Sequence, residues 1–151
     1  MRAPTRLLAL LALVAVAGPT VLPAQDTTAN SARTAIAQLR AAVRAGDWRQ
    51  INAFLPASGS WTEVVRRMVT SRDTSGYSFW RRDSELLADS LQVIVVGEDQ
   101  VAVSGPFRVG GQVGFWGTVL RLRAGHWQLE CTSEQFGRRV WQAPYCAATR
   151  P

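Results

Sequence analysis

Hydrophobic residues follow two periods along this chain, and the change between them separates a helical first half from a strand-rich second half. The apolar residues of the first helix recur at spacings of four, three and four: Ala32, Ile36, Leu39 and Val43. This spacing is typical of one helix face. From Leu91 to Phe136 four successive strands are indicated, with tight turns between them. The sequence therefore predicts an α+β fold in which helices cover one face of an antiparallel sheet.

Two more helices are predicted before the strands begin. Asp47 is expected to cap a short helix that Pro56 ends. Ser60 and Glu63 form a capping box for the next one. Its apolar residues recur at helical spacing: Trp61, Val64, Val65, Met68 and Val69.

Weak periodicity leaves the structure of residues 72–90 open. Residues 77–81 fit a strand, and residues 84–88 fit a helical turn.

Alternation predicts which residues of the strands share a face. One face of the second strand is apolar: Val101, Val103, Phe107 and Val109. The corresponding set on the third strand is Trp116, Thr118, Leu120 and Leu122. After the turn at residues 124–126, the fourth strand presents Trp127, Leu129, Cys131 and Ser133. We expect the apolar face to be the one that the helices cover.

The first residues have the layout of an export signal. Arg2 and Arg6 precede an apolar stretch over residues 7–17, which is too short to span a bilayer. We expect cleavage after Ala24, so that residues 1–24 are a signal peptide, residues 25–30 a flexible leader and residues 31–151 a single domain. An uncleaved membrane anchor is the alternative. The mature protein is expected to be periplasmic or secreted by a bacterium, with no stable membrane insertion.

Charge changes this picture little. Removing residues 1–24, which hold two arginines and no acidic residue, leaves 127 of the 151 residues and lowers the net charge from +6 to +4. The remaining arginines are spread along the chain, which indicates a solvated surface rather than a nucleic-acid site. One histidine and no CxxC or HxxxH spacing give no metal site, and no cofactor is indicated.

The two cysteines, Cys131 and Cys146, suit a disulfide in an exported protein. A closed loop of about fifteen residues corresponds to roughly 3 kcal/mol in the chain-entropy model. Two separate buried thiols are the alternative.

Three segments give the chain a family resemblance. They are residues 45–48 (Ala-Gly-Asp-Trp), residues 97–105, and residues 117–129 with Gly125-His126-Trp127. In order and spacing they resemble the nuclear transport factor 2-like superfamily, in its SnoaL-like branch. The resemblance implies a strongly curved sheet that wraps around the helices as a cone, an apolar pocket inside the cone, and homodimerisation through the outer sheet face. Relatives often carry histidines where this chain has Cys131 and Ser133, so no catalytic role transfers.

General acid–base chemistry needs a carboxylate in a dry cleft. Asp83 and Glu85 are the candidates, and a solvated ion pair with Arg81 or Arg82 is the simpler interpretation. Nucleophilic catalysis has no support, because GxSxG is absent.

Aromatic residues and two hydroxyls give the predicted ligand site: Trp61, Tyr77, Trp80, Trp116, Thr118 and Ser133. Large flat side chains with a few polar groups suit a small apolar ligand. The leading hypothesis is an exported module that binds such a molecule in the cone. A metal-independent isomerase or dehydratase with a pocket carboxylate, and a dimerising structural domain with a filled cone, are the alternatives.

Overall fold

The computed structural model describes residues 23–56, 60–70 and 79–142. Within these ranges three α-helices precede an antiparallel sheet, so the predicted α+β class is confirmed. None of the helices described is both long and apolar enough to cross a membrane. Residues 1–22, Tyr77 and Cys146 lie outside the described residues.

The helices occupy α1 (Pro23–Ala45), α2 (Trp48–Phe54) and α3 (Ser60–Thr70). Residues 25–30, expected as a flexible leader, instead form part of the first turns of α1. No glycine or proline interrupts residues 24–45. A helix that forms around the buried face of α1, from Ala32 to Val43, can therefore extend toward its amino end.

Both ends of the α1–α2 connection have recognisable caps. Gly46 adopts a φ of +70°, and the N–H groups of Gly46 and Asp47 donate to the carbonyls of Val43 and Ala42, which is a Schellman motif. The Asp47 carboxylate then accepts a hydrogen bond of 3.2 Å from the N–H of Gln50, which confirms the predicted cap of α2.

Six strands form one sheet within the described residues. They are β1 (Glu85–Leu86), β2 (Gln92–Gly97), β3 (Gln100–Val109), β4 (Gln112–Arg123), β5 (His126–Phe136) and β6 (Arg139–Gln142). β3, β4, β5 and β6 are successive neighbours, and β1 and β2 both pair with the other edge of β3. The four predicted strands correspond to β2–β5. A 3₁₀ turn at Ala88–Ser90 joins β1 to β2.

The helices cover one face of this sheet, called here the inner face. α1 packs against β2 and β3, and α2 packs against β5. Buried residues of β3 and β4 lie on the inner face as predicted: Val101, Val103, Phe107, Val109, Trp116, Thr118 and Leu120. Leu122, placed in the same set, lies at the end of β4 and is 36% exposed.

A β-bulge changes which side of β5 faces the helices. Val119 pairs with Cys131 but Leu120 pairs with Leu129, so Glu130 is an extra residue in β5. Beyond it the alternation is shifted by one position. Thr132, Glu134 and Phe136 are therefore buried, while Ser133 is exposed.

The segment that the sequence left open is a turn followed by a very short strand. Residues 79–83 form turns and a bend, and β1 comprises two residues that pair with Phe107 and Arg108 of β3. Neither a strand reaching Arg81 nor a helical turn at residues 84–88 is present.

Candidate functional site

The two predicted catalytic carboxylates lie in exposed ion pairs. Asp83 accepts hydrogen bonds from the guanidinium of Arg81, 2.7 Å from its Nε, and these bonds hold the pKa of Asp83 below its usual value. Glu85 lies 3.4 Å from the guanidinium of Arg108. General acid–base catalysis near neutral pH requires a raised carboxyl pKa, so Asp83 has the opposite environment. The simpler interpretation, a solvated ion pair, is confirmed for Asp83.

Two of the predicted pocket aromatics are core residues. Trp80 and Trp116 are fully buried. The Phe79 ring stacks on the Trp116 indole with centroids 4.1 Å apart, and it meets Trp80 edge to face at 5.5 Å. These side chains fill space between helix and sheet rather than lining the mouth of a pocket. Tyr77 and the side chain of Trp61 lie outside what the structure describes.

The two predicted hydroxyls lie on opposite faces of the sheet. Thr118 is buried on the inner face, where its hydroxyl lies 3.0 Å from that of Thr132 and donates to the Cys131 carbonyl at 2.7 Å. Ser133 pairs with Gly117 and is exposed. The expectation that Thr118 and Ser133 share a face is wrong, because the bulge at Glu130 shifts the alternation between them.

The same shift turns one carboxylate inward that the sequence did not single out. Glu134 is only 7% exposed, and its carboxylate accepts a hydrogen bond of 2.9 Å from the N–H of Phe79. Hydrogen bonding from a main-chain donor satisfies the buried charge and fixes the start of the Phe79–Ser84 turn.

Arg40 holds that turn from the helix side. Its guanidinium donates to the carbonyls of Phe79, Arg81 and Ser84 and lies 5.0 Å from the centroid of the Phe79 ring. Burial lowers the pKa of Arg40 to about 10, so it stays protonated at neutral pH. Arg40 and Glu134 thus reach the same turn from opposite sides.

Cys131 is disulfide-bonded. Its predicted partner, Cys146, lies outside the described residues, so the pairing of the two stays a prediction.

A groove of about 750 Å³ lies where α1 and α2 meet the turn between β4 and β5, and is called here the His126 groove. Its lining comprises Ser31, Thr34, Ala35, Gln38, Gln50, Ala53, Phe54, Gly125, His126 and Trp127. The indole N–H of Trp127 donates to the Ser31 hydroxyl at 3.0 Å, which ties β5 to α1 at the groove.

The turn that forms one end of this groove has little conformational freedom. Ala124 and Gly125 have φ angles of 48° and 78°, and Arg123 pairs with His126 directly across them. Two central residues with positive φ match a type I′ hairpin, whose twist suits the flanking strands. The predicted tight turn is therefore confirmed, and it fixes the backbone position from which the His126 side chain extends.

The His126 groove combines apolar surface with hydrogen-bonding groups. Phe54, Ala35 and Ala53 supply apolar contacts. Amides, hydroxyls and an imidazole supply donors and acceptors: Gln38, Gln50, Ser31, Thr34 and His126. No aspartate, glutamate or arginine is among the ten lining residues. Such a surface can bind a small neutral molecule without paying for desolvation of a charge.

Sequence reasoning missed this groove because its residues come from separate elements. His126 is exposed beside a hairpin turn, and Gln38 and Gln50 are exposed on two different helices, so no local pattern marks them as a site. A usable signal was present in the Gly46 turn, since a tight α1–α2 connection brings those two polar faces together.

Within residues 23–56, 60–70 and 79–142, no three His, Cys, Asp or Glu side chains lie close enough together to hold a metal ion. A scan against protein-family models gives no match, and searches of curated proteins and of solved structures give none either. Function is therefore inferred from the grooves and the buried groups themselves.

Proposed function

We propose that this protein is an exported binding protein that holds a small, largely apolar, uncharged molecule in the His126 groove. The observation that carries the proposal is the lining of that groove, which has aromatic and aliphatic surface, five polar side chains and no Asp, Glu or Arg. Its volume of about 750 Å³ falls in the usual range for small-molecule sites, roughly 300–1,000 Å³.

Export and the cone-shaped fold are part of the same proposal. The charged start and short apolar stretch of residues 1–24 support a signal peptide. Helices on one face of an antiparallel sheet, with a bulge that bends a long strand, support the nuclear transport factor 2-like arrangement that the resemblance implies. A periplasmic or secreted location follows from the signal.

The ligand position differs from the first expectation. Trp80, Trp116 and Thr118 were expected to line a pocket in the cone, but all three are buried among other side chains. A ligand at the His126 groove would instead contact α1, α2 and the β4–β5 turn.

An isomerase- or dehydratase-type activity has weaker support. It requires a carboxylate in a cleft, whereas Asp83 and Glu85 are more than half exposed and paired with arginines. A dimerising structural domain remains compatible with binding, since dimerisation would use the outer sheet face and leave the His126 groove free.

The test uses the Trp127 indole N–H as a reporter, because that group lies in the groove. Its resonance in a ¹H–¹⁵N spectrum of residues 25–151 is assigned with Trp127→Phe. The probe is 2-naphthol, which is neutral at pH 7, aromatic and carries one hydroxyl. We expect a saturable shift of this resonance, and we expect Ala53→Leu, which fills the groove, to weaken binding about tenfold.

Ala45→Leu is the matched control. Ala45 is an exposed helical alanine that does not line this groove. The proposal fails if millimolar 2-naphthol leaves the Trp127 signal in place, or if Ala53→Leu and Ala45→Leu bind the probe equally well.

A further inference from the structure

A second groove, of about 550 Å³, runs along the other side of α1 and is called here the arginine groove. It lies between α1 and the β1–β2 connection. Its lining comprises Arg33, Thr34, Ala37, Arg40, Ala41, Arg44, Glu85, Leu86, Ala88 and Leu91.

The spacing of residues on α1 shapes this groove. Arg40 follows Arg33 by seven residues and precedes Arg44 by four, so the three lie along one side of the helix, about 10 Å and about 6 Å apart along its axis. Ala37 and Ala41 lie between them and are exposed. Because alanine is short, the helix surface is low between the arginines. The opposite wall presents apolar groups beside Glu85: Leu86, Ala88 and Leu91.

The acidic residue that lines the arginine groove, Glu85, pairs with Arg108 rather than with the arginines of α1. Arg40 is 95% buried and donates to three main-chain carbonyls, while its Nε has no hydrogen-bond partner. Arg33 donates to the Leu91 carbonyl at 2.9 Å. Among the described residues none of the three arginines forms an ion pair with a carboxylate.

The nearby carboxylates are already occupied. Asp83 is bound by Arg81, and Glu85, at the edge of the groove, lies 3.4 Å from Arg108. Desolvation and repulsion from the neighbouring Arg44 lower the pKa of Arg40, and the charge of Asp83 offsets only part of this lowering. An anion placed beside Arg44 would relieve this repulsion and gain charge-assisted hydrogen bonds.

We propose that the arginine groove binds an organic carboxylate with an apolar body. Arg44 contacts the carboxylate, Arg40 supplies the fixed charge behind it, and the body lies over Ala41 and Ala37 against Leu86 and Leu91. This site shares only Thr34 with the His126 groove, and its ligand differs in charge from the one proposed there.

The test compares two eight-carbon probes, octanoate and 1-octanol, by isothermal titration calorimetry with residues 25–151 at low salt. The probes share the chain and differ in the head group. We expect octanoate to bind with one-to-one stoichiometry and 1-octanol to bind at least about tenfold more weakly, since a hydrogen bond to a charged group is worth about that factor. Octanoate binding should weaken as salt rises.

Three variants locate the site. Arg44→Gln should weaken octanoate binding about tenfold, and Ala41→Leu, which fills the groove without changing charge, should abolish it. Arg49→Gln is the matched control, because Arg49 is an exposed arginine on α2 outside the groove. Thermal melts of all three establish that each is folded.

The proposal is overturned by any of three results. The first is an absence of octanoate binding, and the second is equal binding of 1-octanol. The third is an Ala41→Leu protein that still binds octanoate like the unaltered one. The outcome is independent of the 2-naphthol test, because Ala41 lines only the arginine groove and Ala53 only the His126 groove.

Discussion

Single buried residues with charge organise the part of this protein that periodicity could not assign. The Phe79–Ser84 turn has little regular backbone pairing of its own, yet Arg40 binds three of its carbonyls and Glu134 binds its first N–H. Such pairings between distant positions leave no local sequence pattern. The residue before Arg40 is a core leucine and the one after Glu134 is a polar glutamine, so neither context distinguishes a buried charge from an exposed one.

Gly114 shows a constraint that operates at one atom. A Cβ at this position would lie 2.6 Å from Phe107 Cζ and 2.7 Å from Phe136 Cδ2, whereas the ring centroids of the two phenylalanines are only 6.0 Å apart.

We expect Gly114→Ala to lower the free energy of unfolding by about 2 kcal/mol. Overpacking outweighs the gain of roughly 0.4–1 kcal/mol from a stiffer unfolded chain. Urea denaturation followed by fluorescence measures the change. Gly111→Ala is the control, because nothing lies within 4 Å of a Cβ there. A Gly114→Ala protein as stable as Gly111→Ala would show that the two phenylalanines can move apart.

The β-bulge in β5 is the element on which much of the inner face depends. Strict alternation from Trp127 would place Gln135 inside and Phe136 outside. The extra residue Glu130 reverses this arrangement and buries Phe136. It also buries the Glu134 carboxylate, which accepts a hydrogen bond from the N–H of Phe79. Alternation was sufficient for β3 and β4. Alternation failed in the second half of β5, because the bulge there is stabilised by contacts with neighbouring strands and not by a local sequence pattern.

Glu130 has those contacts on the outer face. Its carboxylate accepts hydrogen bonds from Arg121 Nε at 2.8 Å and from Gln100 at 2.7 Å. The bonds from Arg121 lower the pKa of Glu130. Since the pKa is lower in the folded than in the unfolded protein, the ionised carboxylate stabilises the fold above the unfolded pKa, and this is lost as pH falls through the folded pKa.

We therefore expect Glu130→Gln to cost about 1 kcal/mol at pH 7, a value kept small because solvent screens the pair. The difference from the unaltered protein should shrink as pH falls below about 4.3. Urea denaturation at several pH values measures it. Glu98→Gln, at an exposed turn position, is the control. A loss that stays constant down to pH 2 would mean that the glutamate acts through packing and not through its charge.

At the scale of the whole molecule, helices cover one face of the sheet, and none of the described helices covers the other. The α+β class and the order of elements could be predicted, because helical and strand periods are local properties of the sequence. The two grooves could not, since each is formed where α1 meets elements far away in the chain. His126 and Trp127, for example, are about ninety residues from Thr34 and Ser31, which share their groove.

The outer face of the sheet carries apolar residues that are exposed in the described part of the chain. Phe115, Val113 and Ile94 are 50%, 55% and 62% exposed. Phe115 pairs with Pro106, and Ile94 pairs with Ala102, so the register joins β2, β3 and β4 in one outward surface. Exposed apolar groups of this kind, next to one another on a sheet, are typical of an interaction surface.

We propose a homodimer formed through this face, as the family resemblance implies, and we expect Phe115→Glu to convert it to a monomer. A charge buried at a two-fold interface would meet its own copy nearby and would also lose its hydration, and both effects oppose association. Sedimentation velocity of residues 25–151 at micromolar concentration measures the oligomeric state.

Val64→Glu is the matched control, because Val64 is 42% exposed but lies on α3, away from the outer face. A dimer formed through the outer face would be contradicted if the unaltered protein is a monomer, or if Val64→Glu dissociates the dimer as much as Phe115→Glu does. Retention of the dimer by Phe115→Glu would move the interface elsewhere on the molecule.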